Sequence, residues 1–226
     1  MVAPVITIDG PSGSGKGTLC QLLAAELNWH LLDSGALYRI VGLAAERKGI
    51  DFDDGSALAE LAVSLEVEFN PSVSGEPSAV ILNGEDVSAA VRAETTGALA
   101  SKVAVHDPVR QALKELQRSF LTAPGLVADG RDMGTVIFPA APLKIYLTAS
   151  VKERAERRFK QLKNKGESVN LAALLGDIQL RDERDMNRAV APLKPAADAI
   201  VIDSTATAVE EVFVKVLERV KAVYKI

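Results

Sequence analysis

Residues 4–18 read Pro-Val-Ile-Thr-Ile-Asp-Gly-Pro-Ser-Gly-Ser-Gly-Lys-Gly-Thr, and most of the architecture can be predicted outward from this stretch. The apolar run from Pro4 to Ile8 is typical of a central parallel strand that is covered on both faces. A glycine-rich loop follows from Asp9 to Gly15, and a helix is predicted from Lys16 to about Leu27. This order of strand, loop and helix matches G-x-x-x-x-G-K, the signature of a phosphate-binding loop.

The glycines of this loop have a physical purpose. They allow successive backbone N–H groups to turn toward one point and form an anion cradle, and the helix N-terminus adds partial positive charge. We expect Lys16 to reach the β- and γ-phosphates of a nucleotide. An incidental glycine-rich turn would not explain why strand, spacing, lysine and helix all agree. The candidate phosphate-binding residues are Gly10, Pro11, Ser12, Gly13, Ser14, Gly15, Lys16, Gly17 and Thr18.

The residue after the lysine departs from the usual motif, which places a Mg²⁺-binding Ser or Thr there. Gly17 occupies that position, and the hydroxyl comes one residue later, at Thr18. We therefore expect Mg²⁺ at Thr18 or, through water, at Asp33 or Asp129. The run Gly-Lys-Gly-Thr resembles nucleoside monophosphate kinases more than motor ATPases or GTPases, and the sequence has no Asn-Lys-x-Asp segment for guanine.

Strand and helix patterns alternate along the rest of the chain. Short apolar strands are predicted at residues 29–32, 126–128, 143–147 and 199–202. Helices are predicted at residues 36–48, 108–121, 151–165, 171–187 and 208–224. This alternation predicts an α/β fold with a central parallel sheet that is covered by helices and joined by right-handed crossovers.

A different pattern interrupts this alternation. Residues 65–70 alternate strictly between apolar and polar side chains, as a half-exposed strand does. Residues 78–82 form another β-like run, Asn83-Gly84 is a strong hairpin signal, and Val87-Ser88 is predicted to continue into a third strand. The pattern indicates a small antiparallel sheet inside an α/β chain.

We therefore predict a single P-loop kinase domain over residues 1–226, with two specialised segments. An inserted antiparallel β subdomain for substrate binding is predicted at about 62–100, and a helical lid at about 151–168. The lid segment is strongly basic through Lys152, Arg154, Arg157, Arg158, Lys160, Lys163 and Lys165. Such a segment is either a solvated charged helix or a mobile lid that brings arginines over a transferring phosphate.

The helix predicted at 171–187 carries charges where its buried face should continue. Its apolar face is formed by Leu171, Leu174, Leu175 and Ile178. At about 100° per residue, Asp185 lies roughly 30° from the centre of that face, and Arg181 and Arg188 flank it. Burying lone charges is costly, so this end is either a solvated helix end with Arg–Asp pairs or the wall of a polar cleft that binds a charged ligand.

The composition excludes several classes of protein. The chain carries 26 Lys and Arg against 30 Asp and Glu, a net charge of −4, whereas nucleic-acid-binding domains normally carry a basic excess. The single cysteine, Cys20, rules out an internal disulfide framework and suits a reducing cytosol. We expect a cytoplasmic monomer that binds neither nucleic acid nor membrane, because no signal peptide, membrane-span or long heptad pattern is found.

Four stretches together resemble bacterial cytidylate kinases. They are Ile8–Thr18, Leu32–Arg39 (Leu-Asp-Ser-Gly-Ala-Leu-Tyr-Arg), Ala128–Thr135 (Ala-Asp-Gly-Arg-Asp-Met-Gly-Thr) and Arg181–Pro192 (Arg-Asp-Glu-Arg-Asp-Met-Asn-Arg-Ala-Val-Ala-Pro). The inserted subdomain also resembles that of the longer bacterial forms. The resemblance implies the reaction ATP + CMP → ADP + CDP, with dCMP as a second acceptor and Mg²⁺ required.

The resemblance also implies a role for individual residues. Those that would surround the cytosine are Ser34, Arg110, Asp132 and Arg188. Those that would hold the sugar are Arg181 and Asp185. Those that would line the acceptor side near its phosphate are Tyr38, Arg39 and Arg131. Lid arginines would be Arg154, Arg157 and Arg158. The predicted catalytic cations are Lys16, Arg131, Arg157 and Arg158.

The chemistry of cytosine is compatible with these roles. Cytosine presents an amino donor and a ring acceptor, which a carboxylate such as Asp132 and a guanidinium such as Arg188 complement, and uracil reverses both.

Two alternative functions stay open at this point. One is a P-loop kinase for another acceptor, such as a different nucleotide, shikimate or dephospho-coenzyme A. The other is a nucleotide-binding module or switch without turnover.

Overall fold

The computed structural model describes residues 3–70, 79–164 and 166–225. The chain divides into two compact units. The first unit comprises Met1–Asp33 and Gln117–Ile226, and the second comprises Ser34–Leu116. Two parts of the predicted segments lie outside the described residues. One is Lys165 of the predicted lid, and the other is the stretch 71–78 of the predicted subdomain, which includes the first residue of the strand predicted at 78–82.

The secondary structure follows the chain in this order. The strands are β1 (Val5–Asp9), β2 (His30–Asp33), β3 (Val67–Asn70), β4 (Ala79–Leu82), β5 (Glu85–Asp86), β6 (Leu126–Gly130), β7 (Leu143–Thr148) and β8 (Ile200–Asp203). The helices are α1 (Lys16–Leu27), α2 (Ser34–Lys48), α3 (Gly55–Ser64), α4 (Ser88–Arg92), α5 (Glu94–Val103), α6 (Asp107–Ser119), α7 (Val151–Asn164), α8 (Leu171–Asn187) and α9 (Val209–Tyr224). A single π-helical turn covers Met133–Ile137.

The first unit contains a parallel sheet in the order β2-β6-β1-β7-β8. Every residue of the central strand β1 is buried, as its apolar sequence predicts. Ile6 and Ile8 of β1 pack in one core with side chains of α1 and α9. Cys20 is part of that core and packs there as a small buried side chain. The predicted α/β fold class is confirmed.

The second unit contains the antiparallel sheet β3-β4-β5. It also contains more helices than were predicted for this part of the chain. The prediction of a third strand at Val87-Ser88 is wrong, since the strand is Glu85–Asp86 and α4 begins at Ser88. The Asp86 carboxylate accepts a hydrogen bond from the Ser88 N–H at 2.9 Å, which turns the chain into the helix. Helices α3, α4 and α5 were not predicted, because short Ala-, Thr- and Gly-containing helices carry little apolar periodicity.

None of the described helices combines the length and the apolar composition that a bilayer crossing requires.

The phosphate-loop glycines allow β1 and β7 to run side by side up to the loop. Asp9 pairs with Tyr146, so the next residue, Gly10, faces Leu147 of β7. A Cβ atom on Gly10 would lie 2.0 Å from the Leu147 carbonyl oxygen. That neighbour is backbone within a sheet and cannot yield easily, so only glycine fits at this position.

Gly10→Ala is therefore expected to lower the free energy of unfolding by about 2–3 kcal/mol, as overpacked sites do. Gly176→Ala is the matched control, because a Cβ there meets nothing within 4 Å and alanine is favoured inside a helix by about 0.5–1 kcal/mol. Urea unfolding of both variants and the parent measures the difference. Equal midpoints for Gly10→Ala and the parent would contradict this account of the loop.

Candidate active site

Acidic residues gather at the carboxyl edge of the parallel sheet. Asp9 ends β1 and Asp33 ends β2, while Asp129 lies in the last positions of β6. Asp33 pairs directly with Asp129, and Asp9 pairs with Gly130. Ligands of open parallel sheets bind outside this edge, so the phosphate loop and these carboxylates share the expected site.

The loop has the backbone of an anion cradle. Gly13 and Gly15 have φ angles of 77° and 93°, in the left-handed region that favours glycine. Helix α1 begins at Lys16, whose ammonium donates to the Pro11 carbonyl at 3.2 Å. The same ammonium lies 3.8 Å from a carboxylate oxygen of Asp129. Lys16 is only 8% exposed, so its charge is held inside the loop.

Burial shifts the titration of this ion pair. It lowers the pKa of the Lys16 ammonium to about 8, and the neighbouring guanidinium of Arg131 adds to the effect. Burial also raises the pKa of the Asp129 carboxyl to about 6, although Lys16 opposes that shift. A bound phosphate would supply the negative charge that keeps Lys16 protonated.

A cleft of about 790 Å³ opens beside the loop, within the first unit. One wall consists of Gly13–Thr18, and another of Ser204–Val209 at the end of β8. Thr18 is exposed in this cleft. The remaining wall comes from α7, through Glu153, Arg157, Arg158, Lys160 and Gln161. The cleft is large enough for a nucleotide and is polar where the loop and α7 face it.

Two predicted catalytic arginines of α7 line this cleft. Arg157 donates to the Ser204 carbonyl at 2.5 Å and to the Ser14 carbonyl at 3.4 Å, and it is also paired with Glu153 at 2.9 Å. Arg158 lies one residue further and donates to the Gln161 side chain at 3.3 Å. The structure thus brings Arg157 and Arg158 beside the phosphate loop; their catalytic roles stay predictions.

Arg154 occupies a different environment from its two neighbours on α7. It is 2% exposed and forms a two-pronged ion pair with Asp182 of α8, which is 6% exposed. It also donates to the Ala149 carbonyl at 2.9 Å and to the Ser12 carbonyl at 3.0 Å. These contacts make Arg154 a framework residue that ties α7 and α8 to the phosphate loop.

The charged end of α8 faces the same edge of the sheet. Arg131, which follows β6, donates to the Asp185 carboxylate at 3.0 Å. Burial alone would lower the pKa of Arg131 and raise that of Asp185. Their mutual ion pair and the other charges around them together outweigh burial, so the pKa of Arg131 is raised, that of Asp185 is lowered and both groups stay charged. Arg181 donates weakly to the Ser12 hydroxyl at 3.5 Å. The polar-cleft interpretation of this helix end fits these contacts better than a solvated end does.

Asp132 and Arg188 complete the predicted acceptor residues of the first unit. Asp132 is 2% exposed and precedes the π-helical turn. Arg188 follows α8 and donates to the Ala191 carbonyl at 2.6 Å. Ala191 has a φ angle of 47°, which is strained for a residue with a Cβ. Strained backbone residues of this kind are concentrated at active sites and ligand-binding loops.

The predicted acceptor residues of the second unit form their own cluster. Ser34 and Tyr38 are buried on α2, and the Arg110 guanidinium lies over the Tyr38 ring, 5.7 Å from its centroid. Arg39 donates to the carbonyls of Val91 and Ala93, both at 2.9 Å. These bonds hold the corner between α4 and α5.

Asp9, Asp182 and Ser204 also contribute to the site, although no role was predicted for them. The Ser204 hydroxyl donates toward the Ser14 carbonyl at 2.9 Å and so supports the loop. Asp182 was detectable, because it lies four residues after the buried Ile178 on the same helix face. Asp9 gave no such signal, since its partners lie far away in the sequence.

The family model described as cytidylate kinase matches residues 6–222. A cytidylate kinase of Aeromonas hydrophila is 59% identical over 96% of this chain and 93% of its own length. One from Stutzerimonas stutzeri is 59% identical over 96% and 95%. One from Pseudomonas putida strain W619 is 60% identical over 93% and 92%.

Arg154→Met should lower the free energy of unfolding by about 3–5 kcal/mol, because it leaves the buried carboxylate of Asp182 without its cation. Lys152→Met is the control on the same helix. Its side chain is 81% exposed, so the change should stay within about 0.5 kcal/mol. Chemical denaturation measures both. A cost for Arg154→Met as small as that of the control would show that the pair is not part of the framework.

Nucleotide affinity should fall as pH rises above 8. Lys16 is charged below its pKa of about 8, and a phosphate binds the charged form. Above that pH, binding requires proton uptake, so the Kd for ADP in EDTA should rise by up to about tenfold per pH unit. Calorimetric titration between pH 7 and pH 10 measures this. Lys16→Arg cannot titrate in this range and should remove the slope; an unchanged slope would assign the effect to another group.

Proposed function

The chain belongs to the cytidylate kinase family, and from this premise we propose that it catalyses ATP + CMP → ADP + CDP, with dCMP as a second acceptor. The observation that carries the proposal is the grouping of charges around one phosphate loop in the first unit. The cleft beside the loop is lined by Lys16, Arg157 and Arg158. The Arg131–Asp185 ion pair lies in the same unit, and the charges that act on it are those of Asp129, Asp182, Arg181 and Arg188.

ATP is proposed to occupy the 790 Å³ cleft. The loop N–H groups and Lys16 would bind the β- and γ-phosphates. The adenosine would then lie against Thr205–Val209, which form the far wall. Arg157 is already tied to both walls through the Ser14 and Ser204 carbonyls, so it can transmit nucleotide binding to α7.

The oxygen donors at the sheet edge fit a Mg²⁺ ion that is held mainly by phosphates and water. Thr18 lines the cleft, and Asp33 and Asp129 are paired near the carboxyl ends of neighbouring strands. Among the described residues there is no cluster of three or more His, Cys, Asp or Glu side chains suited to bind a metal by themselves. Mg²⁺ typically binds through one or two protein oxygens plus phosphates, and it would neutralise charge on the transferred group.

Asp132 and Arg188 are proposed to select cytosine. The buried Asp132 carboxylate would accept from the cytosine amino group, and Arg188 would donate to the ring acceptor. Uracil would leave both unpaired, at a cost of about 1–3 kcal/mol for each group. Arg181 and Asp185 are proposed to hold the sugar, and Arg131 the acceptor phosphate. In the second unit, Ser34 and Arg110 are proposed to contact the base, and Tyr38 and Arg39 the phosphate side.

The proposed step is a direct in-line transfer. An oxygen of the CMP phosphate forms a bond to the γ-phosphorus of ATP, while the bond from that phosphorus to the β–γ bridging oxygen breaks and leaves its electron pair on ADP. The attacking oxygen is already anionic, so no general base is required. Lys16, Arg131, Arg157 and Arg158 would stabilise charge on the equatorial oxygens. Closure of the lid at about 151–168 would exclude water, and the subdomain at about 62–100 would assist substrate binding.

A panel of acceptors tests the proposed function. ADP release from Mg-ATP is measured with CMP, dCMP, UMP, AMP and GMP offered separately. Strong turnover with CMP and dCMP and little with the others is expected. Turnover with a different monophosphate would contradict the cytosine assignment, and ATP binding without turnover on any acceptor would favour a binding module.

Asp132→Asn tests the base-reading role directly. The amide replaces one acceptor oxygen by a donor, so kcat/KM for CMP should fall by roughly 10- to 100-fold, and the preference for CMP over UMP should shrink. Asp177→Asn makes the same chemical change at an exposed position of α8 and should leave both values unchanged. An unaltered CMP:UMP ratio in Asp132→Asn would remove Asp132 from the base site.

A further inference from the structure

We propose that Asp9 is a positioning residue for acceptor recognition. It holds the backbone of the segment that presents Arg131 and Asp132, although it lies on another strand. This inference rests on the proposed function, because it assumes that those two residues face the acceptor. No role was predicted for Asp9 from the sequence.

Both carboxylate oxygens of Asp9 are engaged by one short segment. One oxygen accepts from the Met133 N–H at 2.8 Å, and the other accepts from the Gly134 N–H at 2.8 Å. Asp9 is 4% exposed, so the two hydrogen bonds are shielded from water. The residues that accept this clamp come directly after Arg131 and Asp132.

Asp9 provides the cap that Asp132 would otherwise provide. Strand β6 ends at Gly130 and the π-helical turn begins at Met133, so Asp132 occupies the cap position. An aspartate there commonly accepts from the first N–H groups of its own helix, yet the Asp132 side chain makes no such bond. Asp9 accepts from the Gly134 N–H, one of the groups that an N-cap side chain normally binds, and the Asp132 carboxylate does not cap the turn.

The turn is fixed on its other sides as well. Its backbone closes from Phe138 N–H to the Met133 carbonyl at 2.7 Å and from Val136 N–H to the Asp132 carbonyl at 2.9 Å. A Cβ on Gly134 would lie 2.9 Å from the Thr7 hydroxyl and 3.2 Å from Lys144 Cδ. The turn therefore lies tightly on the sheet, and the Asp9 clamp determines the position of its first residues.

A carboxylate is the side chain that this clamp requires. Two N–H donors on consecutive residues, each bound to a different oxygen, need two acceptor oxygens, and asparagine offers only one oxygen beside an NH₂ donor. Burial raises the pKa of the Asp9 carboxyl to about 7, and the charges of Asp132 and Asp129 add to that shift, while the two N–H bonds oppose it. Above that pH the group is mainly ionised and both of its oxygens can accept, which is the state that the clamp requires.

Loosening the clamp should affect the acceptor more than the donor. Asp9→Asn would turn an NH₂ group toward a backbone N–H and move the start of the turn, and with it Arg131 and Asp132. The backbone of the phosphate loop would keep its contacts, since these come from Arg154, Arg157 and Ser204 rather than from Asp9. A role confined to stability would instead leave substrate discrimination unchanged.

The experiment compares the parent with Asp9→Asn at pH 8.5, where an Asp9 with a pKa of about 7 is ionised. The readouts are kcat and KM for CMP and UMP, the Kd of ATP without acceptor, and the Tm. We expect kcat/KM for CMP to fall by roughly 10- to 100-fold, the CMP:UMP preference to fall at least fivefold, and the ATP Kd to change less than threefold. Thr7→Val changes a buried hydroxyl beside the same turn and should alter each kinetic value less than twofold.

An unchanged CMP:UMP preference in Asp9→Asn would overturn the proposal, as would an equal loss of ATP and CMP binding. If Asp9→Asn does not fold, Asp9→Glu takes its place, because it keeps the charge and displaces both oxygens by one methylene. Full discrimination in Asp9→Glu would then count against the proposal, and reduced discrimination would support it. Absence of CMP turnover in the parent protein would instead contradict the proposed function, so the two failures are distinguishable.

Discussion

The burial of the Lys16 ammonium inside the phosphate loop is the constraint on which the rest of the site depends. A cation that is 8% exposed needs negative charge nearby, and within the protein a carboxylate oxygen of Asp129 lies 3.8 Å away. Burial lowers the pKa of Lys16 to about 8, which makes a phosphate the natural partner. The loop can hold Lys16 there because Gly10 passes against the Leu147 carbonyl without a Cβ.

The arginines around the loop divide into two groups by what they contact. Arg154 is bound to Asp182 and to the Ser12 carbonyl, so it joins α7 and α8 to the loop as part of the framework. Arg157 and Arg158 line the cleft instead. A buried cation with a complete set of partners is fixed in place, so Arg154 serves the framework, while the role proposed for Arg157 and Arg158 toward the transferred phosphate requires the side chains that line the cleft.

Much of the fold could be predicted from residue patterns, since β1, the phosphate loop and α1 follow from glycine spacing and apolar periodicity, and α8 was predicted with its observed bounds. Helices α3–α5 could not, because their short segments offer too few turns for a periodic signal. Within the site, Asp185 was found from its place on an apolar face, and the same reasoning would have found Asp182. Asp9 lies beyond such reasoning, because its partners are 124 and 125 residues away and only the fold brings them together.

The central claim is that the geometry directs a phosphoryl group to CMP while keeping water out. The most direct test follows the fate of the group itself, with ATP labelled at the γ-phosphate, an excess of CMP, and separation of the labelled products. The account predicts that the label appears in CDP in equal amount to the ADP formed, with no more labelled inorganic phosphate than a protein-free control. Label released mainly as inorganic phosphate would contradict it, because water rather than CMP would then be the acceptor.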